Sequence, residues 1–215
     1  INVKGNGFTL NWISNKGNNS TFKEELADSI VNKCKGQNGE VIEVKKTTKK
    51  KYSPALYDLT ELQRDANKIW GYSAKQTLNI MQRLYENHKV LTYPRTDSRY
   101  VTTDIVATIP ERLKAVSFGE YRAAAESLLK SGVKANKNYV DNSKVSDHHA
   151  IIPTEEKGSL VNLSTEEKHI YDLVVRRFLS VLMPAYEYEQ TTVGVNIAGE
   201  TFTAKGNITK SKGWK

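Results

Sequence analysis

The sequence predicts an α+β protein in which a β-rich domain is built from both chain ends and a helical domain is inserted between them. Three observations predict this. Apolar residues alternate at both ends of the chain (Ile1 and Val3, then Val193, Val195 and Ile197), which is the period of a half-buried strand. Helical spacing dominates the middle, and Pro54 and Pro184 mark the two changes of period. At 215 residues there is room for one large or two modest domains, taking about 150 residues per domain. The expected division is 1–52 and 185–215 for the β-rich domain and 53–184 for the helical one.

Taken in order, residues 1–13 read as a hairpin, with Asn6-Gly7 as its turn and Phe8, Leu10 and Trp12 alternating after it. A short helix is expected from Thr21 to Asn32, with Phe22, Leu26 and Ile30 on one face. "EVIEVKKTTKKKY" follows as a strand entered from the Gln37-Asn38-Gly39 turn. Leu56, Leu59, Leu62, Ala66 and Ile69 then mark a helix that Gly71 breaks. Ser73 caps the next helix with Gln76 as its capping-box partner, and Ala74, Leu78, Met81, Leu84 and Tyr85 form its stripe.

Two helices are expected at 103–116 and 118–131, the second stopped by Gly132. A polar stretch follows with few apolar anchors before Ala150-Ile151-Ile152. Ser164 and Glu167 make a second capping box, for a helix carrying Ile170, Val174, Phe178 and Leu182. Strand alternation returns at Thr191, turns at Ala198-Gly199 and continues through Phe202 and Ala204.

Composition narrows the function classes. No apolar run approaches a membrane span, and the first residues lack a signal-peptide pattern. Cys34 is the single cysteine, which excludes an internal disulfide and a CxxC zinc site and fits a reducing cytoplasm. The net charge of +8, with Lys45, Lys46, Lys49, Lys50 and Lys51 in one ribbon, favours phosphate-bearing partners. A solvated lysine-rich edge that discourages strand aggregation accounts for the same charges equally well. The chain opens at Ile1 inside a strand pattern, without methionine, and stops just after another strand; the expectation is a piece of a longer protein.

The chemistry concentrates in "KVLTYPRTDSRY". Pro94 pushes Tyr93 out of the helical region into an extended conformation, where residues two apart point the same way. Tyr93 and Arg95 are therefore expected to share a face. A phenol ionises near pH 10, so a nucleophilic tyrosine needs a cation beside it, and a guanidinium is shaped to hold a phosphate by two bonds. Thr96, Asp97 and Ser98 can order the turn through side-chain to backbone bonds. From these residues alone, an aromatic plug followed by a capped turn remains a competing account.

A second cluster, "SDHHAIIPT", sets His148 and His149 side by side in an extended loop, where imidazoles can donate to phosphate or move protons at neutral pH. Adjacent histidines in an extended segment point to opposite sides, so their spacing suggests no metal site.

"LTYPRTDSRY" together with "HHAIIPT" resembles the type IA DNA topoisomerases, specifically their topoisomerase III branch. "PALYDLTELQRDAN", "GYSAKQTLNIMQRLYE", "LSTEEKHIYDLVVRRFLSVLMPA" and "FTAKGNITKSKGW" are similar to that family in the family's own order. The resemblance implies that Tyr93 is the nucleophile that forms a 5′-phosphotyrosine bond. It implies that Arg95 steadies the scissile phosphate and that His148 contacts phosphate, with Thr96, Asp97, Ser98, Arg99 and His149 binding DNA around them. It further implies a β-rich arch domain, and a helical domain like that of catabolite activator protein bearing the tyrosine.

The family's toprim domain, with its Asp-x-Asp pair and catalytic lysine, has no counterpart here. Magnesium is accordingly expected in the full-length enzyme with ligands outside this chain, and this chain alone is expected to be inactive. The partners implied are DNA, especially single-stranded, and the other domains of the same polypeptide, in a monomer in the bacterial cytoplasm near the nucleoid. A non-catalytic module whose tyrosine stacks a base is the alternative. Tyrosine recombinases, which place Arg and His-x-x-Arg before the tyrosine, and relaxases, with His-hydrophobic-His sites, do not fit the order seen here.

Overall fold

The computed structural model describes residues 1–5, 7–157 and 162–215. They form two compact units, Ile1–Lys51 with Tyr186–Lys212, and Tyr52–Ala185 with Gly213–Lys215. The mixed class of helices and antiparallel sheet is borne out.

In the first unit, strands β1 (Asn2–Gly5), β2 (Phe8–Ile13), β3 (Gly39–Lys51), β4 (Tyr186–Ile197) and β5 (Glu200–Ser211) make one sheet in the order β1-β2-β5-β4-β3. β1 and β2 pair as the expected hairpin; of its turn, Asn6 lies outside the described residues. Ala198 and Gly199 turn β4 into β5 with φ of +52° and +85°, the positive pair that matches strand twist in a two-residue hairpin. Helix α1 (Glu24–Cys34) begins later than 21–32 and buries a different face. Phe22 lies ahead of its first turn and is fully exposed, and Leu26 is partly so, which leaves Ile30 and Cys34, one turn apart, as the buried pair. They close a small core with Leu10, Trp12, Val195, Ile197 and Phe202, where the Cys34 thiol donates to the Ile197 carbonyl at 3.4 Å.

The second unit is helical. Helix α2 (Leu59–Trp70) starts one turn after Leu56, because Asp58 caps it by accepting from Glu61 N–H at 2.7 Å. Leu56 and Tyr57 are buried ahead of it, Ile69 is exposed, and Gly71 ends it at φ +73°. Ser73 caps α3 (Ala74–Glu86), but Gln76 does not return the bond; its amide donates to Glu166 at 3.0 Å. The buried stripe of α3 is Thr77, Ile80, Met81 and Leu84, rotated from the expected one, and this leaves Tyr85 exposed at the helix end.

The expected helix 103–116 is two, α4 (Thr103–Val106) and α5 (Ile109–Ala115). Pro110 has no N–H to donate back to Val106, so one helix cannot run through. Helix α6 (Arg122–Ser131) stops at Gly132, as expected. Helix α7 (Thr165–Leu182) opens with both capping-box bonds, Glu167 N–H to Ser164 Oγ at 3.2 Å and Ser164 N–H to Glu167 Oε2 at 2.9 Å. Its Ile170, Val174 and Phe178 join Leu62, Met81, Leu84 and Ile151 in the main core. Tyr139 supplies an anchor in the polar stretch that the sequence did not suggest; it is buried, with its hydroxyl donating to Lys134 O at 2.8 Å. No helix among the described residues is long and apolar enough to cross a membrane.

Candidate active site

Two separate segments are stitched into one loop platform. Past the end of α3 the chain turns through Lys89, at φ +57°, and runs on as an extended segment. Thr92 N–H donates to Ile152 O at 3.0 Å, Ile152 N–H to Thr92 Oγ1 at 3.0 Å, and Thr154 N–H to Val90 O at 3.1 Å. Ala150 N–H donates to Tyr100 O at 2.9 Å, and Thr96 Oγ1 to His148 O at 2.9 Å. These bonds bring "TYPRTDSRY" and "HHAIIPT" together, although about fifty residues separate them.

Tyr93 sits half-buried on that platform. Its ring centroid is 4.3 Å from the ring of His148 and 5.4 Å from Tyr85, whose ring meets it edge-on. It divides two clefts. One, of about 280 Å³, is lined by Tyr93, Thr102, Asp104, Asp147, His148 and His149 among others; the second, of about 570 Å³, by Tyr85, Lys89, Leu91 and Thr154 with Tyr93. Among the described residues, no hydrogen bond engages the Tyr93 hydroxyl, and Arg95 is exposed with no ion pair or hydrogen bond. Pro94 is buried, and the chain bends there, with Thr96 N–H donating to Pro94 O at 3.1 Å. The plain extension expected for this segment is thus interrupted just after Tyr93. Among the described residues, no cation–π contact or hydrogen bond joins Arg95 to Tyr93.

The remaining candidates fall into two groups. Thr96 and Ser98 are buried, and their hydroxyls are occupied inside the loop: Ser98 Oγ donates to Lys144 O at 2.7 Å, and Thr96 Oγ1 also receives Ser98 N–H. Neither is presented to a ligand. Arg99 is held by carboxylates, Nε at 2.8 Å from Asp58 and a second nitrogen at 2.9 Å from Glu61, and this hydrogen bond with Asp58 raises its pKa. Asp58 therefore both caps α2 and anchors the loop. Asp97 is exposed and has no partner among the described residues.

His148 is exposed, whereas His149 is half-buried and donates from Nδ1 to Ala150 O at 2.7 Å. That bond fixes the tautomer, leaving Nε2 as the acceptor; burial lowers the pKa of His149, with Arg112 adding to the effect. Spacing could not have revealed Tyr85 or Arg112. The Arg112 guanidinium, almost wholly buried, donates to Pro153 O at 2.6 Å and pairs with Glu155 at 2.8 Å, bracing the back of the loop. No three His, Cys, Asp or Glu side chains come together as a metal site among the described residues.

The family model described as DNA topoisomerase matches residues 2–215. The chain belongs to the DNA topoisomerase family. It is 58% identical over 206 residues to DNA topoisomerase 3 of Bacillus cereus, covering 96% of this chain and 28% of that protein. It is 57% identical to the enzyme of the same name from Bacillus anthracis (98% of this chain, 29% of that protein) and 51% identical to that of Bacillus subtilis (100% and 30%). This topoisomerase chain thus spans less than a third of the length of the curated relatives it matches. Among solved structures, full-length topoisomerase I from Thermotoga maritima superposes with a TM-score of 0.69 at 24% identity, covering 99% of this chain and 34% of that one, a likeness of fold. The expected membership of the type IA topoisomerases, topoisomerase III branch, is borne out.

Proposed function

We propose that this chain carries the nucleophile of a type IA topoisomerase that cuts and rejoins one DNA strand. Tyr93 Oη attacks a backbone phosphorus and the bond to the 3′ oxygen breaks. The phenol gives up its proton, and the 3′ oxygen of the released strand takes one. The product is a 5′-phosphotyrosine ester, which keeps the energy of the broken phosphodiester, so the reverse attack reseals the strand without ATP.

The observation that carries this reading is the unengaged Tyr93 hydroxyl, held at the edge of a cleft beside His148 and two residues from an unpaired Arg95. On this reading Arg95 swings onto the scissile phosphate and His148 donates to a phosphate oxygen. Thr96, Ser98 and Arg99 position the loop. His149, with Nε2 open as an acceptor, and Asp97, whose carboxylate repels phosphate, meet sugar or base instead.

Magnesium would be held by an acidic toprim domain elsewhere in the polypeptide. The residues here do not fit it, since no three candidate ligands converge among the described residues, and no step is routed through the ion. Supporting the choice of DNA are the net charge of +8 and the relatives' name; we read the partner as single-stranded DNA, and the protein as a monomer of the bacterial nucleoid region. On this reading the arch role falls on the sheet unit and the nucleophile role on the helical unit. The test is to trap a labelled single strand on the full-length protein with denaturant, digest the adduct and sequence the linked peptide. The expected peptide contains Tyr93; linkage through any other tyrosine overturns the assignment.

A further inference from the structure

The outer half of the β3–β4 ribbon has two chemically different faces. Residues paired across antiparallel strands share a face. On one side Lys46 pairs with Thr191, Thr48 with Glu189 and Lys50 with Glu187. On that side every one of these lysines has a carboxylate beside it: Lys50 lies 2.7 Å from Glu187, while Lys46 and Lys210 lie 3.9 and 3.8 Å from Glu189. On the other side Lys45 pairs with Thr192, Thr47 with Gln190, Lys49 with Tyr188 and Lys51 with Tyr186, and β5 adds Lys205, Asn207 and Thr209.

From Lys45 to Lys51 this face of β3 and β4 carries no carboxylate; Glu43 borders the patch beside Lys45, and Glu40 lies farther along the same face. Lys45 and Lys205 are exposed and make no ion pair among the described residues, and Lys49 donates to the neutral Gln190 amide at 2.7 Å. Tyr186 and Tyr188 stack at 5.3 Å with their planes 26° apart.

We propose that this face is a second surface for single-stranded DNA, separate from the Tyr93 site. The lysines take phosphates, the tyrosine pair offers ring surface to bases, and Asn207 and Gln190 reach base edges. A cationic strip beside a ring pair is what a single strand recognises, because its base faces are open; a duplex hides them. Protecting an edge strand with lysine would require neither the tyrosines nor the sorting of Glu187 and Glu189 to the opposite face.

The interleaved lysines provide their own control. Lys45→Ala with Lys49→Ala, and Lys46→Ala with Lys50→Ala, remove the same charge from opposite faces of one strand. Binding of a labelled oligo-dT to the full chain is measured by fluorescence anisotropy across salt concentrations. The Lys45/Lys49 pair should reduce the slope of log affinity against log salt by about 1.4, at about 0.7 per phosphate contact, and the Lys46/Lys50 pair should leave it unchanged. Tyr188→Ala should weaken binding about fivefold or more, and Tyr188→Phe, which keeps the ring, should not. An iodouracil-bearing strand should crosslink to the peptide containing Tyr186 and Tyr188. Equal losses from the two lysine pairs, or crosslinks confined to the helical unit, overturn the proposal. Because none of these variants touches Tyr93, failure here leaves the nucleophile assignment standing.

Discussion

Two tyrosines in the helical unit each have an arginine for company, and their circumstances differ at every point that matters for reactivity. Tyr57 is buried, donates to Asp65 at 2.5 Å, receives Arg177 at 2.9 Å and lies 3.9 Å beneath that guanidinium. Arg177 also binds Ala55 O and Asp65, so the phenol, the guanidinium and the carboxylate are occupied with one another. Burial, and then the bond to Asp65, push the Tyr57 phenol far above its ordinary pKa. Tyr93 is half-exposed, its hydroxyl is unengaged among the described residues, and Arg95 is unpaired. Tyr57 and Arg177 are thus occupied by the protein and act as a structural device, whereas Tyr93 and Arg95 are each left open, as the proposed reading requires of a nucleophile and its phosphate-binding cation.

The largest effect should come from removing the open hydroxyl. In the full-length protein, Tyr93→Phe should abolish the covalent DNA adduct while DNA affinity and thermal stability stay near those of the parent, since only an unengaged oxygen is lost. Denaturing-gel trapping and a melting curve check both halves. A normal adduct yield would mean that the contrast with Tyr57 misleads.

Arg95→Ala comes next. It should slow cleavage and religation by about a hundredfold, the typical cost of one preorganised charge-stabilising donor. Binding should change much less, because the contact strengthens as charge develops on the phosphate. Single-turnover rates against measured affinity separate the two. A parallel loss in both would make Arg95 a simple phosphate anchor.

Arg177→Ala reverses the pattern. It strips donors from Asp65, Tyr57 and Ala55 O together with a cation–π contact, and should cost about 2–3 kcal/mol of stability. Urea unfolding measures it, and chemistry at Tyr93 should survive wherever the protein remains folded.

How legible these regions were depends on the range of the interactions that make them. The Ser164–Glu167 capping box, the Gly71 and Gly132 stops and the Ala198-Gly199 turn are decided within a few residues and could be read directly. The rotated stripe of α3 could not, because Thr77 and Ile80 are buried by partners distant in sequence. Gln76 was similarly drawn from its cap to Glu166. At the site, motif likeness pointed to Tyr93, Arg95 and His148. Spacing, though, was silent on whether Thr96, Ser98 and Arg99 face a ligand or the loop, since the answer lies with Lys144, His148, Asp58 and Glu61, at separations of about forty to fifty residues.

The smallest effect, and the finest test of occupied against open groups, concerns His149. Its Nδ1 is committed to Ala150 O; burial, aided by Arg112 and His148, holds its pKa below the ordinary 6.5, although that Ala150 bond and, less strongly, Asp104 pull the other way. Between pH 6.5 and that lowered value the unfolded chain binds a proton that the folded chain does not. The contribution of His149 to stability is therefore complete above about pH 6.5 and declines as pH falls through the folded pKa. His149→Gln, which has no proton to gain, should flatten the fall in urea midpoint between pH 7 and pH 5 relative to the parent, and imidazole resonances followed by NMR should show His149 titrating below 6.5. An unchanged pH profile in the variant, with an unshifted titration, would place His149 among the open groups beside His148 instead of the occupied ones.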